Sequence, residues 1–291
     1  MAQTRELLGR LHTVAATQQL TQAMKLVAAA KLAQAERKLT PLQRYSQAFD
    51  EIWQRFVQHA GPLQHPLLGQ QQAPQQVLVL LCSTDKGLCG AYNKHLFKRL
   101  LQLRQQHQQV GQRLTVLPIG QKALAFLKQE RLPCLHQGYV SLGKQLSLAR
   151  SAELAAFLKQ GYLQGRYQQC LLLYQRSKVP TPEHLQVAQL LPVLAPAQHS
   201  SSEAPATQLI YEPSKAALLQ ALLPQLVTLQ LHSALLTCQR SEQSARMLTM
   251  GQASDNAEAL IKELRLSYNR TRQEAITKEI IEIAAGAEAL A

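Results

Sequence analysis

Two long segments with few helix breakers occupy the ends of this chain of 291 residues, and they constrain its fold more than any other feature. Residues 214–291 contain only Pro224, Gly251 and Gly286 as breakers. A helix of about 75 residues would be about 110 Å long, so much of it must protrude and needs a partner helix. Apolar residues recur there at the helical steps of three, four and seven, as follows: Leu222, Leu226, Leu229, Met247, Met250, Ala257, Leu260, Ile261, Leu264, Tyr268, Ile276, Ile280 and Ile283.

The N-terminal segment, residues 1–60, offers a matching apolar stripe, which Gln18, Thr21 and Lys25 interrupt. Two long helices at opposite ends of one chain predict an antiparallel intramolecular coiled coil. Its seam is weak because Ala, Gln and Thr replace many of the Leu and Ile residues that a strong coiled coil would carry. The stripe consists of Leu7, Leu11, Val14, Met24, Ala28, Leu32, Ala35 and Leu39.

The middle segment, residues 61–213, alternates apolar runs with polar ones and predicts a small α/β domain with a mainly parallel, Rossmann-like sheet. The sequence thus divides into an N-terminal helix (1–60), this domain, and a C-terminal helix (214–291). A further strand is expected within Lys178–Val193. The predicted strands are Gln76–Cys82, Leu114–Ile119 and Gln168–Tyr174, and the predicted helices are Ala91–Gln109, Gln121–Glu130 and Leu146–Gln160.

The net charge of +13 comes mostly from residues 1–213, since residues 214–291 hold equal numbers of basic and acidic side chains. Basic residues are spread along the chain and aromatic residues make up only 5%, which is unlike a nucleic-acid binder and indicates a basic surface facing an acidic partner. Five cysteines without a CxxC pair argue against a disulfide framework or a zinc site. We expect no secretory signal and no membrane-spanning helix, because the N-terminus lacks an apolar core and no run of about 18 apolar residues occurs.

The stretch VLVLLCSTDKGLCGAYNKHLFKRL (77–100) resembles a strand, a glycine-rich turn and a helix, the setting of many phosphate-binding loops. The stretch matches neither the P-loop pattern GxxxxGK[ST] nor the dinucleotide-binding pattern GxGxxG. A Cys89 nucleophile would need a base and an orienting group, and His95 has no carboxylate obviously placed to orient it. We therefore expect a structural turn with no catalysis and no cofactor, in which Asp85 and Lys86 form a solvated pair facing a partner.

Three stretches together resemble the signature regions of the gamma subunit of F-type ATP synthase, in the right order and at the right distances from the termini. They are TQQLTQAMKLVAAAKLAQAE (17–36), STDKGLCGAYNKHLFK (83–98) and SEQSARMLTMGQASDNAEALIKELRLSYNRTRQEAITKEIIEIAAGA (241–287). The resemblance extends over essentially the whole chain.

The resemblance implies a rotor shaft made of the two terminal helices inside a ring of three alpha and three beta subunits. The α/β domain would lie beside the epsilon subunit and the membrane c-ring, and the delta subunit would be an indirect partner. Ion flow would turn the c-ring and this chain, while ATP chemistry would take place in beta. The chain would then be a non-catalytic subunit that meets neither nucleic acid nor, except through the complex, the membrane.

Residues that match the family's contacts with beta loops are implied as partner contacts here. On the C-terminal helix they are Arg246, Arg272, Gln273, Thr277, Glu279 and Glu282. On the N-terminal helix they are Met24 and its neighbour Lys25, and on the glycine-rich turn they are Lys86 and Cys89.

The chain departs from the family at Ile281, where many relatives carry Thr, and at Lys25, where some carry Glu. It lacks the cysteine-bearing insertion of chloroplast relatives, which predicts a bacterial-type subunit at the cytoplasmic face of the inner membrane. The alternative function from another class is a basic coiled-coil adaptor or nucleic-acid binder, which would concentrate Lys and Arg on one helix face.

Overall fold

The computed structural model describes residues 2–60, 64–69, 74–135, 146–179, 181–194 and 211–290. The elements follow the predicted order, and the predicted strands and helices of the middle segment are confirmed with ends shifted by a few residues. In chain order they are α1 (Ala2–Ala60), β1 (Gln76–Cys82), α2 (Tyr92–Gln109), β2 (Arg113–Ile119), α3 (Gln121–Gln129), α4 (Leu148–Leu163), β3 (Gln169–Gln175), a 3₁₀ turn (Pro182–His184), β4 (Leu185–Leu191) and α5 (Lys215–Leu290).

The two terminal segments are continuous helices, as their composition predicts. α1 has 59 residues and α5 has 76. Each contains one internal proline, Pro41 in α1 and Pro224 in α5. Proline removes one helical hydrogen bond and costs about 3 kcal/mol in a helix interior. Both helices nevertheless continue, so other interactions along them outweigh that cost.

By internal contacts the chain forms two compact units, and their boundaries lie inside the long helices. The first unit consists of residues 1–30 and 246–291, and the second of residues 31–245. The division of the sequence into segments 1–60, 61–213 and 214–291 stays a prediction.

In the first unit the two helix segments pack as an antiparallel pair, which confirms the coiled coil expected from the sequence. The Nζ atom of Lys25 lies 3.6 Å from the position that a Cβ atom on Gly251 would occupy. The buried residues of this unit are few and mostly small, with Ala28, Ala257 and Ile261 among them. The seam therefore buries little apolar area, as its composition predicts.

The second unit contains a four-stranded sheet in the order β2-β1-β3-β4. β1 pairs in parallel with β2 and with β3, whereas β4 pairs antiparallel with β3. The sheet is thus mainly parallel, and β4 is the further strand expected within Lys178–Val193. All residues of β1 after Gln76 are buried, since helices cover both faces of the sheet.

One face of the sheet carries α2 and α3, and the other carries α4 together with the parts of α1 and α5 that belong to this unit. Val79 and Leu81 of β1 pack with Leu96 of α2 on the first face. Leu80 of β1 belongs to the larger cluster on the second face, which includes Trp53 of α1. Because β1 and β2 are parallel, their carboxyl ends lie at the same edge of the sheet, where the glycine-rich turn begins.

One helix, Lys215–Ala285, is long and apolar enough to cross a membrane by length and composition, with a window of mean hydropathy 1.3. This differs from the expectation drawn from the absence of a long apolar run. However, 61% of that window is buried inside the chain. Core helices of water-soluble domains pass the same test, so the burial indicates a helix packed within the protein.

Candidate partner-contact sites

The turn after β1 is fixed to the start of α3 by hydrogen bonds. α3 begins after Gly120 without a side-chain cap of its own, and the turn supplies the acceptors instead. This satisfies donors that a helix start otherwise leaves unpaired. The backbone nitrogens of Gln121, Lys122 and Ala123 donate respectively to Asp85 Oδ1 (3.2 Å), the Thr84 carbonyl (3.0 Å) and Ser83 Oγ (2.8 Å).

These bonds give Asp85 a structural role in addition to the partner-facing pair that the sequence predicts. Asp85 is half-buried, and one oxygen of its carboxylate accepts a hydrogen bond from the first turn of α3. An anionic oxygen at a helix N-terminus is also favoured by the helix dipole, which adds about 0.3–1 kcal/mol at an exposed site. Asp85 therefore holds the turn in place.

A second set of hydrogen bonds ties the turn to α2 through Asn93. The Asn93 amide nitrogen donates to Thr84 Oγ1 at 2.7 Å and to Cys89 Sγ at 3.4 Å. The Asn93 amide oxygen accepts from the Thr84 backbone nitrogen at 3.3 Å. Thr84 Oγ1 in turn donates to the Lys86 carbonyl at 2.7 Å. One asparagine thus crosslinks both ends of the turn.

The side chain of Cys89 is only 2% exposed, so in this conformation its thiol cannot touch a partner as the resemblance implies. Lys86 is exposed, as expected for a contact residue. The turn also presents Leu88, which is 57% exposed and has a φ of 63°. A non-glycine residue in the left-handed region costs about 1–2 kcal/mol, and the sequence shows no signal for this conformation.

The surroundings of Cys89 do not resemble those of an activated nucleophile. Its thiol lies beside the amide of Asn93, and the neighbouring Tyr92 is buried with its pKa raised by desolvation. Burial likewise raises the pKa of the Cys238 thiol, and nearby Cys82 adds to this effect. Thiolates are disfavoured in such a setting. Among the described residues, no three His, Cys, Asp or Glu side chains come together in a way that could hold a metal ion.

The predicted contact residues of the first unit lie on the two long helices with differing exposure. Met24 and Arg246 are half-buried, whereas Lys25 is exposed and its aliphatic stem crosses Gly251. The small glycine leaves room for the lysine stem, which is how a long charged side chain covers a helix and keeps its amine in water.

The predicted contact residues near the end of α5 are all exposed. They are Arg272, Gln273, Thr277, Glu279 and Glu282. Glu282 is within 3.9 Å of Lys278 in an exposed pair, which contributes little to stability. At 100° per residue, Arg272 and Glu279 lie on one side of a helical stripe and Gln273 and Thr277 lie on the other.

That stripe is apolar and consists of Ile276, Ile280 and Ile283, which are 44%, 60% and 72% exposed. The sequence places them in the coiled-coil seam, and the structure shows that this placement is wrong. The reason is length: counted outward from the contact between Lys25 and Gly251 at equal rise, α1 begins opposite about residue 274 of α5. Beyond that point α5 has no partner helix within the unit.

The chain matches a family model described as ATP synthase over residues 3–290. It is 37% identical over 291 residues to the ATP synthase gamma chain of Amoebophilus asiaticus, covering 100% of this chain and 99% of the relative. It is 36% identical to the ATP synthase gamma chain of Heliobacterium modesticaldum, covering 98% of each.

Solved structures share the fold. A chain from the rotor of the Euglena gracilis mitochondrial ATP synthase superposes with a TM-score of 0.63 at 18% identity, covering 94% of this chain and 99% of that chain. A chain from the OSCP/F1/c-ring structure of the same enzyme reaches a TM-score of 0.65 at 18% identity, covering 99% of this chain and 95% of that chain. Since full-length relatives more than 30% identical carry one name and the family model spans nearly every residue, this chain belongs to the ATP synthase gamma chain family.

Proposed function

We propose that this chain is the central rotor shaft of an F-type ATP synthase. In this function, ion-driven rotation of a membrane c-ring turns the chain, and the chain changes the conformations of three catalytic beta subunits. ATP synthesis and hydrolysis take place in beta, and this chain contributes no catalytic group. Its relatives are named ATP synthase gamma chain, and a chain of like fold comes from the OSCP/F1/c-ring structure of the Euglena gracilis mitochondrial ATP synthase.

The observation that carries the proposal is the end of α5. From residue 276 to residue 285 every side chain is exposed, isoleucines included. A helix that exposes isoleucines on its surface has a large area that water solvates poorly, and a surrounding protein would cover it. A ring of alpha and beta subunits is such an enclosure.

The polar residues beside the isoleucine stripe suit a part that must turn. Arg272, Gln273, Thr277, Glu279 and Glu282 offer charged and amide groups in several directions around one helix. Hydrogen bonds to charged groups contribute about 1.5–3 kcal/mol each. A binding partner shifts a conformational equilibrium only by the difference between its contact free energies with the two conformations. Contacts that differ with angle would favour a different beta conformation at each position.

We extend the proposed contacts to Met24, Lys25 and Arg246 on the long helices and to Lys86 on the turn. The burial of Cys89 removes its thiol from this set, and Leu88 takes its place because it is exposed at the same turn.

Further proposed partners are the epsilon subunit, the c-ring and, indirectly, the delta subunit. The proposed location is the cytoplasmic face of a bacterial inner membrane, with attachment through the complex alone.

The test is reconstitution of the full chain with alpha and beta subunits, followed by an ATPase assay with and without the chain. The shaft function predicts a stable complex whose ATPase activity depends on the chain.

Arg246→Ala combined with Gln273→Ala should lower turnover of the assembled complex with little change in the stability of this chain. Lys262→Ala is the matched control, since Lys262 pairs with Glu258 on its own helix. Failure of the chain to assemble with alpha and beta would contradict the shaft function. Wild-type turnover in the double variant would contradict the assignment of Arg246 and Gln273 as contact residues.

A further inference from the structure

The outer helical layer of the second unit, formed by α2 and α3, is strongly basic. α2 carries Lys94, Lys98, Arg99 and Arg104 and no acidic residue. α3 carries Lys122 and Lys128 and no acidic residue. We call the exposed side of these two helices the basic face.

The lysines of the basic face are not neutralised by the described part of the chain. Lys94, Lys98, Lys122 and Lys128 are exposed, and none of the four forms an ion pair with any residue that the structure describes. Lys94 and Lys98 are one turn apart on the same side of α2, a spacing at which like charges repel. Lys178, elsewhere in the unit, shows the contrast, because its amine lies 2.6 Å from Glu36 Oε1.

An apolar patch accompanies these lysines on α2 and α3. Phe97 of α2 and Phe126 of α3 stack with ring centroids 4.2 Å apart and planes 5° apart, and both remain partly exposed. Leu101, one turn beyond Phe97, is 40% exposed. The basic face therefore combines exposed cations with an apolar patch.

This combination favours one class of ligand over two others. Nucleic acid would require aromatic faces free to stack on bases, and the faces of Phe97 and Phe126 are turned to each other. Membrane binding favours apolar side chains that protrude into lipid, and here the aromatic rings are half-buried between helices. A helix with acidic side chains and an apolar stripe matches both the charge and the apolar patch of the face.

We propose that the basic face is a docking surface for an acidic amphipathic segment of a partner protein. The partner's apolar residues lie over Phe97, Phe126 and Leu101, and its carboxylates pair with the four lysines. The proposal is independent of the shaft function, since none of these residues is among the proposed shaft contacts.

The test uses the full chain and a fluorescein-labelled helical peptide that carries Glu and Leu at helical spacing. Fluorescence anisotropy should show binding that weakens as salt rises from about 50 to about 300 mM, because screening shortens the reach of charges. The combined change of Lys94→Glu, Lys98→Glu, Lys122→Glu and Lys128→Glu should lower the affinity about tenfold or more.

Arg44→Glu with Arg55→Glu is the control, since both arginines are exposed on α1 in the same unit. The affinity should stay within about twofold in this variant, and circular dichroism should show that both variants keep the fold. An equal loss of affinity in the control and the four-lysine variant would overturn the proposal. So would tighter, lysine-dependent binding to phosphatidylglycerol vesicles or to single-stranded DNA than to the peptide.

A second experiment identifies the occupant in the native complex. A photo-reactive benzoylphenylalanine in place of Leu101 should cross-link to a partner segment rich in Asp and Glu. A cross-linked segment without acidic residues, or no cross-link to any protein, would overturn the proposal.

Discussion

The carbonyl oxygen of Ser83 lies 2.5 Å from the position that a Cβ atom on Gly120 would occupy, and the φ of Gly120 is 92°. The two residues follow β1 and β2, which are neighbours in the sheet. Any side chain at residue 120 would push the β1 turn away from α3 and would also hold the backbone in a strained conformation. This approach sets the position of the turn that carries Lys86 and Leu88.

Gly120→Ala should therefore destabilise the chain by about 2–4 kcal/mol, from the collision and the positive φ together. Denaturant unfolding followed by circular dichroism measures the loss. Gly165→Ala is the matched control, because Gly165 has a φ of 70° and open space around it, so only the conformational cost of about 1–2 kcal/mol applies. Equal losses in the two variants would show that the Ser83 backbone moves aside freely.

Asn93→Ala should loosen the turn without unfolding the chain. The change removes the hydrogen bonds that Asn93 forms with Thr84 and Cys89, and the Thr84 backbone nitrogen loses its Asn93 acceptor, at a cost of about 1–3 kcal/mol. Because local opening exposes backbone to proteases, tryptic cleavage after Lys86 should become faster.

Asn256→Ala serves as the comparison for this experiment, since Asn256 is exposed in the middle of α5. It should leave the rate of cleavage after Lys86 unchanged. If Asn93→Ala were cleaved no faster than wild type, the hydrogen bonds to α3 alone would be sufficient to hold the turn.

The elements and layers follow from the sequence because hydrophobic periodicity encodes them. The run Gln76–Cys82 predicts β1 with its observed ends, and the two breaker-poor segments predict α1 and α5. The antiparallel pairing of β4 does not follow, because strand direction depends on the path of the connection rather than on the strand's own residues.

The details of the β1 turn could not be predicted either, because they arise from residues far apart in the chain. In the sequence Asp85 resembles a solvated carboxylate. Its hydrogen bond with the backbone nitrogen of Gln121, which is 36 residues away, becomes evident only when α3 is placed beside the turn. The exposure of Ile276 and Ile283 depends on where α1 begins relative to α5, which periodicity does not reveal. The sequence pattern identifies a stripe but does not say whether the partner of that stripe is in the same chain.

His232 should make the stability of the chain depend on pH near neutrality. Its Nδ1 atom lies 2.8 Å from Ser151 Oγ, and burial together with the charge of Lys38 lowers the pKa of the imidazole. A lowered pKa in the folded state means that the unfolded state binds the proton first as the pH falls below about 6.5. The contribution of His232 is thus complete above that pH and is lost progressively below it.

The free energy of unfolding should consequently decrease between about pH 7.5 and about pH 5.5, and His232→Asn should flatten that decrease. Asparagine retains a polar group near Ser151 and does not titrate. His12→Asn on the exposed side of α1 is the control and should leave the slope as it is in wild type. An unchanged slope in His232→Asn would show that other groups dominate the pH dependence.

Ser46→Ala should stabilise the chain. The Ser46 hydroxyl is buried and has no hydrogen-bond partner among the residues that the structure describes. It lines a cavity of about 260 Å³ between α1, the sheet and α5 in the second unit. A buried hydroxyl without a partner costs about 1–3 kcal/mol, whereas alanine buries no polar atom and has the highest helix propensity. Unfolding experiments should show a gain of about 0.5–1.5 kcal/mol, since part of the penalty is offset by the loss of packed volume.

Ser241→Ala is the control for Ser46→Ala and should change stability in the opposite direction. The Ser241 hydroxyl is also buried, but it donates a hydrogen bond to the Gln175 carbonyl at 3.0 Å. Its removal should lower stability by about 1 kcal/mol or more. The opposite signs at two buried serines on long helices would show that pairing, rather than burial alone, decides the contribution of a hydroxyl. A loss of stability in Ser46→Ala would mean that this hydroxyl has a partner in solution, and a water molecule in the adjoining cavity could provide one.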